Sequence, residues 1–90
     1  MSQLETSFEG HLVRKLNARG YRCLKVKFLG RRGAPDRFVP KLRVFIETKR
    51  PKGGVLEDHQ KREHDRLRAE GYEVLVMWTK KQVDAYVGWL

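Results

Sequence analysis

The stretch that decides the fold runs from Gly33 to Lys49 and reads GAPDRFVPKLRVFIETK. It places Asp36 just before a short apolar pair and closes with Glu47, Thr48 and Lys49 after an alternating apolar run. Successive side chains of a strand point to opposite faces, so Glu47 and Lys49 share one face while Thr48 takes the other. The end of this stretch therefore predicts a strand that carries a carboxylate and an ammonium group side by side.

A hairpin in the middle of the stretch would bring a second carboxylate to the same place. Pro40 and Lys41 are typical of a hairpin turn, and this turn would set Asp36 beside Glu47 on the neighbouring strand. Carboxylate oxygens suit Mg²⁺ or Mn²⁺, and a nearby lysine, here Lys49, can orient or deprotonate a water. We predict an Mg²⁺ or Mn²⁺ site with Asp36 and Glu47 as ligands. A surface ion pair at the end of an edge strand is the alternative for Glu47 and Lys49.

The composition indicates one domain with a polyanionic partner. Residues 1–90 are enough for a single domain with a small core, so association with a partner chain is plausible. Lys and Arg number 20 against 11 Asp and Glu, which gives a net charge of +9 and favours nucleic acid as the partner. No long apolar run is present, so we expect no membrane association. The single cysteine, Cys23, fits a reducing cytoplasm and a small buried role.

The first helix is predicted from about Leu4 to Arg19, and it carries two acidic residues inside its apolar stripe. At about 100° per residue, Glu5 and Glu9 fall toward the core rather than on the opposite face. Helix capping is one explanation, since both residues have capping-box spacing to a preceding Ser or Thr. Capping explains Glu5 better than Glu9, which lies a turn deeper in the helix.

A half-buried strand and a basic loop are predicted next. Residues Tyr21 to Phe28 alternate, with Leu24, Val26 and Phe28 on one face and two lysines on the other. The sequence GRRG at 30–33 follows directly, and flexible glycines around two arginines suit a loop that offers guanidinium groups to phosphates. A solvated face is the alternative for the lysines. The predicted nucleic-acid contacts are Lys25, Lys27, Arg31, Arg32 and Lys52.

The second helix is predicted from Leu56 or Glu57 to Glu70, and its inward face is polar. Gln60, Glu63 and His64 lie at helical spacing between its two leucines, so Gln60 is expected to point into the site. The histidines of this helix, His59 and His64, are five residues apart and make a poor zinc pair. We expect them to be solvated, near phosphate.

The last part of the chain predicts a covered strand and a capped helix. Glu73 to Trp78 contains a continuous apolar run, which is typical of a strand covered on both faces, and we expect it to be central in the sheet. Thr79 has capping-box spacing to a glutamine and begins the last helix. Trp89 is either an exposed interface anchor or a side chain packed on the core of its own domain.

The motifs resemble a known family. Pro35-Asp36, followed by Glu47-Thr48-Lys49, resembles the PD-(D/E)XK signature of the restriction-endonuclease-like nucleases. With GRRGAPD at 30–36, the compact size and Gln60, the chain is most similar to the VRR-Nuc family in its stand-alone bacterial and phage form. The resemblance covers nearly the whole chain. It implies an α/β fold, namely a restriction-endonuclease-like αβββαβ core with a mixed central sheet and a C-terminal helix.

The resemblance also implies roles for single residues. A glutamate of the first helix commonly completes the metal site in this family, which favours Glu9 with Glu5 in reserve. The backbone carbonyl of Thr48 would be a further metal ligand beside Asp36 and Glu47, and Gln60 would hold Lys49 or the attacking water. The candidate catalytic residues are therefore Glu9, Asp36, Glu47, Lys49 and Gln60.

The implied activity is that of an Mg²⁺- or Mn²⁺-dependent endonuclease for branched DNA. Similar stand-alone proteins act as homodimers on four-way (Holliday) junctions and leave a 5′-phosphate, so we expect such a homodimer in the cytoplasm of a bacterial or phage-infected cell. One alternative is a non-catalytic nucleic-acid-binding module, although acidic residues directed at a basic face would repel phosphate. Another is a monomeric nuclease that processes flaps or ends. A structural subunit is supported only by the small size.

Overall fold

The computed structural model describes residues 8–90, which form a mixed α/β domain. The elements in chain order are α1 (Phe8–Ala18), β1 (Leu24–Lys25), β2 (Arg37–Val39), β3 (Val44–Thr48), α2 (Asp58–Ala69), β4 (Glu73–Met77) and α3 (Lys80–Gly88). The four strands form one sheet in the order β1-β2-β3-β4. The first two pairings are antiparallel and β3 pairs with β4 in parallel. The predicted αβββαβ order with a C-terminal helix is confirmed.

Helices cover both faces of the sheet. On one face α1 and α3 pack together over an apolar core that includes Leu12, Leu16, Ile46 and Val83. On the other face α2 packs through Leu67 against a smaller, aromatic-rich cluster built around Phe45 and Val74. Residues of β3 alternate between the two cores, so the buried carboxylate of Glu47 lies on the α2 face.

The β2–β3 hairpin sets the geometry of the site. Its register pairs Arg37 with Ile46 and Val39 with Val44. The turn is closed by bonds from the Leu42 N–H to the Val39 carbonyl and from the Arg43 N–H to the Pro40 carbonyl, both at 3.1 Å. One further step of the same register places the residue before β2, Asp36, across from Glu47. The predicted hairpin is confirmed.

The first strand is shorter than predicted. Only Leu24 and Lys25 pair with β2, which itself has three residues, Arg37–Val39. The residues around β1 still alternate between the two cores, with Cys23 buried toward α1 and α3 and Val26 and Phe28 packed toward α2. Burial raises the pKa of the Cys23 thiol to about 11, which fits the predicted role as a small buried side chain.

The fourth strand was predicted to be central, and this was wrong. β4 lies at the edge of the sheet and pairs only with β3 among the described strands. Both of its faces are nevertheless covered, since Val74 packs in the α2 core and Met77 in the core under α1 and α3. The continuous apolar pattern therefore indicates that both faces of the strand are covered. It does not indicate a central position, because an edge strand can also be covered on both faces.

The helix boundaries agree with the sequence where they can be compared. Leu4 and Glu5 lie outside the described residues, and α1 runs from Phe8 to Ala18. α2 begins after Glu57, which forms a capping box with Gln60, and α3 begins after Thr79, which forms the predicted capping box with Gln82. Within residues 8–90 no helix has the length and apolar character needed to span a membrane.

Candidate active site

The hairpin fixes Asp36 against the end of β3. Its Oδ2 accepts hydrogen bonds from the Thr48 backbone N–H at 2.7 Å and from the Thr48 hydroxyl at 2.9 Å. Burial raises the pKa of Asp36, the two Thr48 donors counteract this in part, and the carboxylates of Glu47 and Glu9 raise it further. The carboxylates of Glu9 on α1 and Glu47 on β3 are therefore close enough to Asp36 to disfavour its charge.

Glu47 and Lys49 lie together, as their alternation predicted. The Lys49 Nζ is 3.5 Å from Glu47 Oε2, and the side chains of both residues are largely buried. The Gln60 Nε2 donates to the same Glu47 oxygen at 3.3 Å, and the Lys49 Nζ donates to Gln60 Oε1 at 2.7 Å. Gln60 thus bridges the lysine and the carboxylate.

The start of α2 holds Gln60 in place. Its Oε1 also accepts the backbone N–H of Glu57 at 2.9 Å, which is one half of the capping box. A residue of the first helical turn has little freedom when its side chain completes a cap. The amide oxygen that receives Lys49 is therefore fixed by the helix itself, and Lys49 is oriented by a rigid partner.

Glu9 reaches the site from α1 through two cations. Its Oε2 accepts the Lys25 Nζ and the Arg37 Nε, both at 2.9 Å. Burial acts to raise the pKa of Glu9, but the hydrogen bonds and charges of Lys25 and Arg37 outweigh it and lower the pKa below its ordinary value. Glu9 is therefore held ionised, close enough to Asp36 to raise its pKa.

The residues present fit a hard divalent cation with a small protein donor set. Residues 8–90 contain no group of three or more His, Cys, Asp or Glu side chains placed to hold a metal ion. Mg²⁺, however, is commonly bound through one or two carboxylates with substrate and water completing its shell. Glu47 Oε1 is buried without a hydrogen-bond partner in the described part of the chain, and the Asp36 charge is disfavoured by its acidic neighbours. A cation bound by Asp36 and Glu47 would give Glu47 Oε1 a partner and would stabilise the charge of Asp36.

The arginine loop is anchored on α2. Arg31 donates to Glu63 Oε1 through Nε at 3.0 Å and through a terminal nitrogen at 2.6 Å. Gly33 has φ +95°, and a Cβ there would lie 2.8 Å from the His59 carbonyl oxygen. Arg32 is exposed, with a guanidinium nitrogen 3.4 Å from His59 Nδ1. Arg31 therefore ties the loop to α2 while half of its side chain stays exposed, and Arg32 beside it is exposed as well.

The three predicted lysine contacts lie in different settings. Lys25 is 63% exposed although it is paired with Glu9, so it stands at the border of the site. Lys27 lines a groove beside Arg31 and α2, and Lys52 lies exposed in the turn after Lys49. All three lysines are exposed.

A cleft of about 620 Å³ opens beside the acidic residues. Glu9, Thr48 and Lys49 form its wall toward the site, while Phe8, Pro51 and Lys80 are among the residues on its other sides. Its lining joins apolar surface to basic side chains.

Two residues of the site were not predicted. Arg37 is 8% exposed and binds Glu9, and its place directly after Asp36 on a short strand gave no sign of that pairing. His64 was expected to be solvated and this was wrong, since its side chain is 0% exposed and lies against Glu47. The signal was present in the spacing, because a residue four positions after Gln60 lies on the same helix face.

Comparison with known proteins gives two matches of high coverage. A solved structure described as a VRR_NUC domain superposes with a TM-score of 0.83, at 32% identity, over 97% of each chain. The protein named "Putative nuclease p44" of Acyrthosiphon pisum secondary endosymbiont phage 1 is 42% identical over 76 residues, which is 81% of each chain. No family model matches the sequence.

The fold of a VRR_NUC domain and the similarity to a protein named as a nuclease identify the chain as a nuclease domain. The chain belongs to the VRR-Nuc family, as its motifs indicated.

Proposed function

We propose that the protein is an Mg²⁺- or Mn²⁺-dependent DNA endonuclease that resolves four-way junctions as a homodimer. The observation that carries the proposal is the convergence of Asp36 and Glu47 at the ends of β2 and β3, beside a lysine fixed by Gln60. A module that only binds nucleic acid gains nothing from buried carboxylates next to its basic surface, because they repel phosphate.

The side chains of the site divide the work of phosphodiester hydrolysis. Asp36, Glu47 and the Thr48 carbonyl would hold the divalent ion, which supplies Lewis acidity and stabilises charge on the phosphate. Lys49, held 2.7 Å from Gln60 Oε1, orients and activates the attacking water. A P–O bond to that water forms as the P–O3′ bond breaks, leaving a 5′-phosphate and a 3′-hydroxyl. Glu9 completes the acidic cluster from α1 and keeps Lys25 at its border.

The basic residues around the site would bind the flanking phosphates. Arg32, Lys25, Lys27 and Lys52 are exposed on the loops and strand that surround the acidic cluster. Contacts of this kind bind DNA without regard to sequence, so we expect recognition to depend on DNA shape and on salt concentration.

A homodimer would supply the two cuts that junction resolution needs. A four-way junction has approximate two-fold symmetry, and a two-fold dimer offers two identical sites to its opposed strands. Each chain holds one such site. Trp89 is 88% exposed, and a large exposed aromatic side chain beside the C-terminal Leu90 suits burial against a second copy.

Two measurements test the proposal. Purified protein with Mg²⁺ or Mn²⁺ should cut a four-way junction in preference to duplex, flap and single-stranded DNA, and EDTA should stop the reaction. Failure to cut any DNA with either ion would contradict the catalytic part. Sedimentation equilibrium at micromolar concentration should give twice the single-chain mass of 10.6 kDa. The mass of one chain over that range would contradict the dimer, and efficient flap cutting by such a monomer would identify an end-processing nuclease instead.

A further inference from the structure

The buried side-chain atoms without hydrogen-bond partners are concentrated at one contact. Among residues 8–90 these atoms are Glu47 Oε1, His64 Nδ1 and His64 Nε2. A buried polar group without a partner costs about 1–3 kcal/mol, and such groups are rare in folded proteins. Their occurrence together on two touching residues calls for a physical reason.

Two of these three atoms, Glu47 Oε1 and His64 Nε2, form a pair. His64 Nε2 lies 3.4 Å from Glu47 Oε1, and the His64 side chain is 0% exposed. His64 follows Gln60 by one helical turn, and the Gln60 Nε2 donates to the other Glu47 oxygen, Oε2, at 3.3 Å. Gln60 and His64, on one face of α2, therefore each contact one of the two carboxylate oxygens of Glu47.

We propose that His64 is a positioning residue for Glu47, with its Nε2–H directed at Oε1. This inference rests on the proposed function, in which Glu47 holds the divalent ion. With Gln60 at one oxygen and His64 at the other, the carboxylate cannot rotate about its terminal bond, so its ligand geometry is set before the ion arrives. Residues that orient a metal ligand in this way tune affinity without touching the metal.

The 3.4 Å separation fits a contact that tightens when the site is used. It exceeds the length of a formed N–H···O bond by a few tenths of an ångström, and hydrogen bonds in active sites commonly shorten when ligands bind. A histidine that served only to fill space could be replaced by leucine without loss, because leucine fills a similar volume and brings no polar atoms.

Metal binding without DNA gives the first test. Mn²⁺ titrated calorimetrically should bind His64→Leu at least about tenfold more weakly than the wild-type chain. His64→Gln should recover most of this loss, since the glutamine Nε2 can take the donor position. His11→Leu, whose imidazole pairs with Asp84 of α3, is the matched control and should leave the affinity unchanged. A folded His64→Leu with wild-type affinity, or a His64→Gln no better than His64→Leu, would overturn the proposal.

A second measurement needs no variant of His64. Long-range ¹H–¹⁵N NMR of the metal-free protein should show the His64 proton on Nε2, and Glu47→Gln should move that proton upfield because an amide oxygen accepts more weakly than a carboxylate. A proton on Nδ1 with a bare Nε2 would overturn the contact. Absence of Mn²⁺ binding by the wild-type chain would instead contradict the proposed metal chemistry, and the NMR result would still decide the role of His64.

Discussion

Replacing Arg37 with methionine should destabilise the protein far more than the same change at Lys25. Both cations donate to the same oxygen of Glu9 at 2.9 Å, and they differ in exposure. The Arg37 side chain is 10% exposed and that of Lys25 is 63% exposed. The comparison therefore sets the stability lost with a buried cation against the stability lost with an exposed cation at the same carboxylate.

The expected sizes follow from burial. Removing one partner of a buried pair costs about 3–5 kcal/mol, and because Lys25 remains bonded to Glu9 we expect about 2–4 kcal/mol for Arg37→Met. An exposed pair contributes about 0.2–1 kcal/mol, which is the loss we expect for Lys25→Met. In a domain of this size 1 kcal/mol corresponds to about 4–8 °C in Tm, so the two variants should be well separated.

Thermal and urea unfolding, followed by circular dichroism at fixed protein concentration, measure both losses. The pKa of Glu9 is lowered by its cations, so their stabilisation is complete above pH 4.5, the ordinary value for a glutamate, and declines as pH falls through the lowered pKa. The gap between Arg37→Met and wild type should therefore narrow in acid. Equal losses for the two variants at neutral pH would refute the argument from burial.

Three further outcomes follow from the site. Asp36→Asn should raise the Tm of the metal-free protein at neutral pH, because the raised pKa of Asp36 means that its ionised form is disfavoured in the folded state. The gain in Tm should vanish in acid, where the wild-type carboxyl takes up its proton. A Tm below that of the wild type at neutral pH would contradict this. Gly33→Ala should lose more stability in urea than Gly53→Ala, since of these two glycines only Gly33 faces a carbonyl oxygen, at 2.8 Å from an added Cβ. The cost of Gly53→Ala, about 1–2 kcal/mol, reflects positive φ alone. Equal losses would argue against the close packing of the loop on α2. Arg31→Ala should lower the Tm, because the buried Glu63 loses its closer arginine partner and keeps Arg66 at 3.4 Å. Arg32→Ala should keep the Tm and reduce the salt slope of DNA binding by about one. A lowered Tm for Arg32→Ala with an unchanged Tm for Arg31→Ala would contradict these roles.

The hairpin and the residues it joins were predictable because they depend on local rules. Alternation placed Glu47 and Lys49 together, and a proline turn of defined length set Asp36 across from Glu47. Helical spacing likewise turned Gln60 inward, where the capping box now holds it. Each of these positions follows from period and turn length, which the sequence states directly.

The remaining features depend on contacts between distant segments, which no local period encodes. Whether β4 lies at the centre or the edge is decided by strand order, and an edge strand covered by helices has the same apolar pattern. The pairing of Arg37 with Glu9 joins residues 28 positions apart. The burial of His64 was missed for another reason: its inward spacing was recognised, but a polar side chain on a polar helix was assigned to solvent.

In the proposed mechanism Asp36 and Lys49 perform the cleavage chemistry, whereas DNA binding rests on charge distributed over the surface. One experiment separates cleavage from binding. Asp36→Ala and Lys49→Ala should bind a four-way junction in EDTA with affinity near that of the wild type and should show no cleavage in Mg²⁺ or Mn²⁺. Lys15→Ala, an exposed lysine on α1 paired with Asp84, is the control for loss of a positive charge and should cleave normally. Normal cleavage by Asp36→Ala or Lys49→Ala would contradict the assignment of the active site.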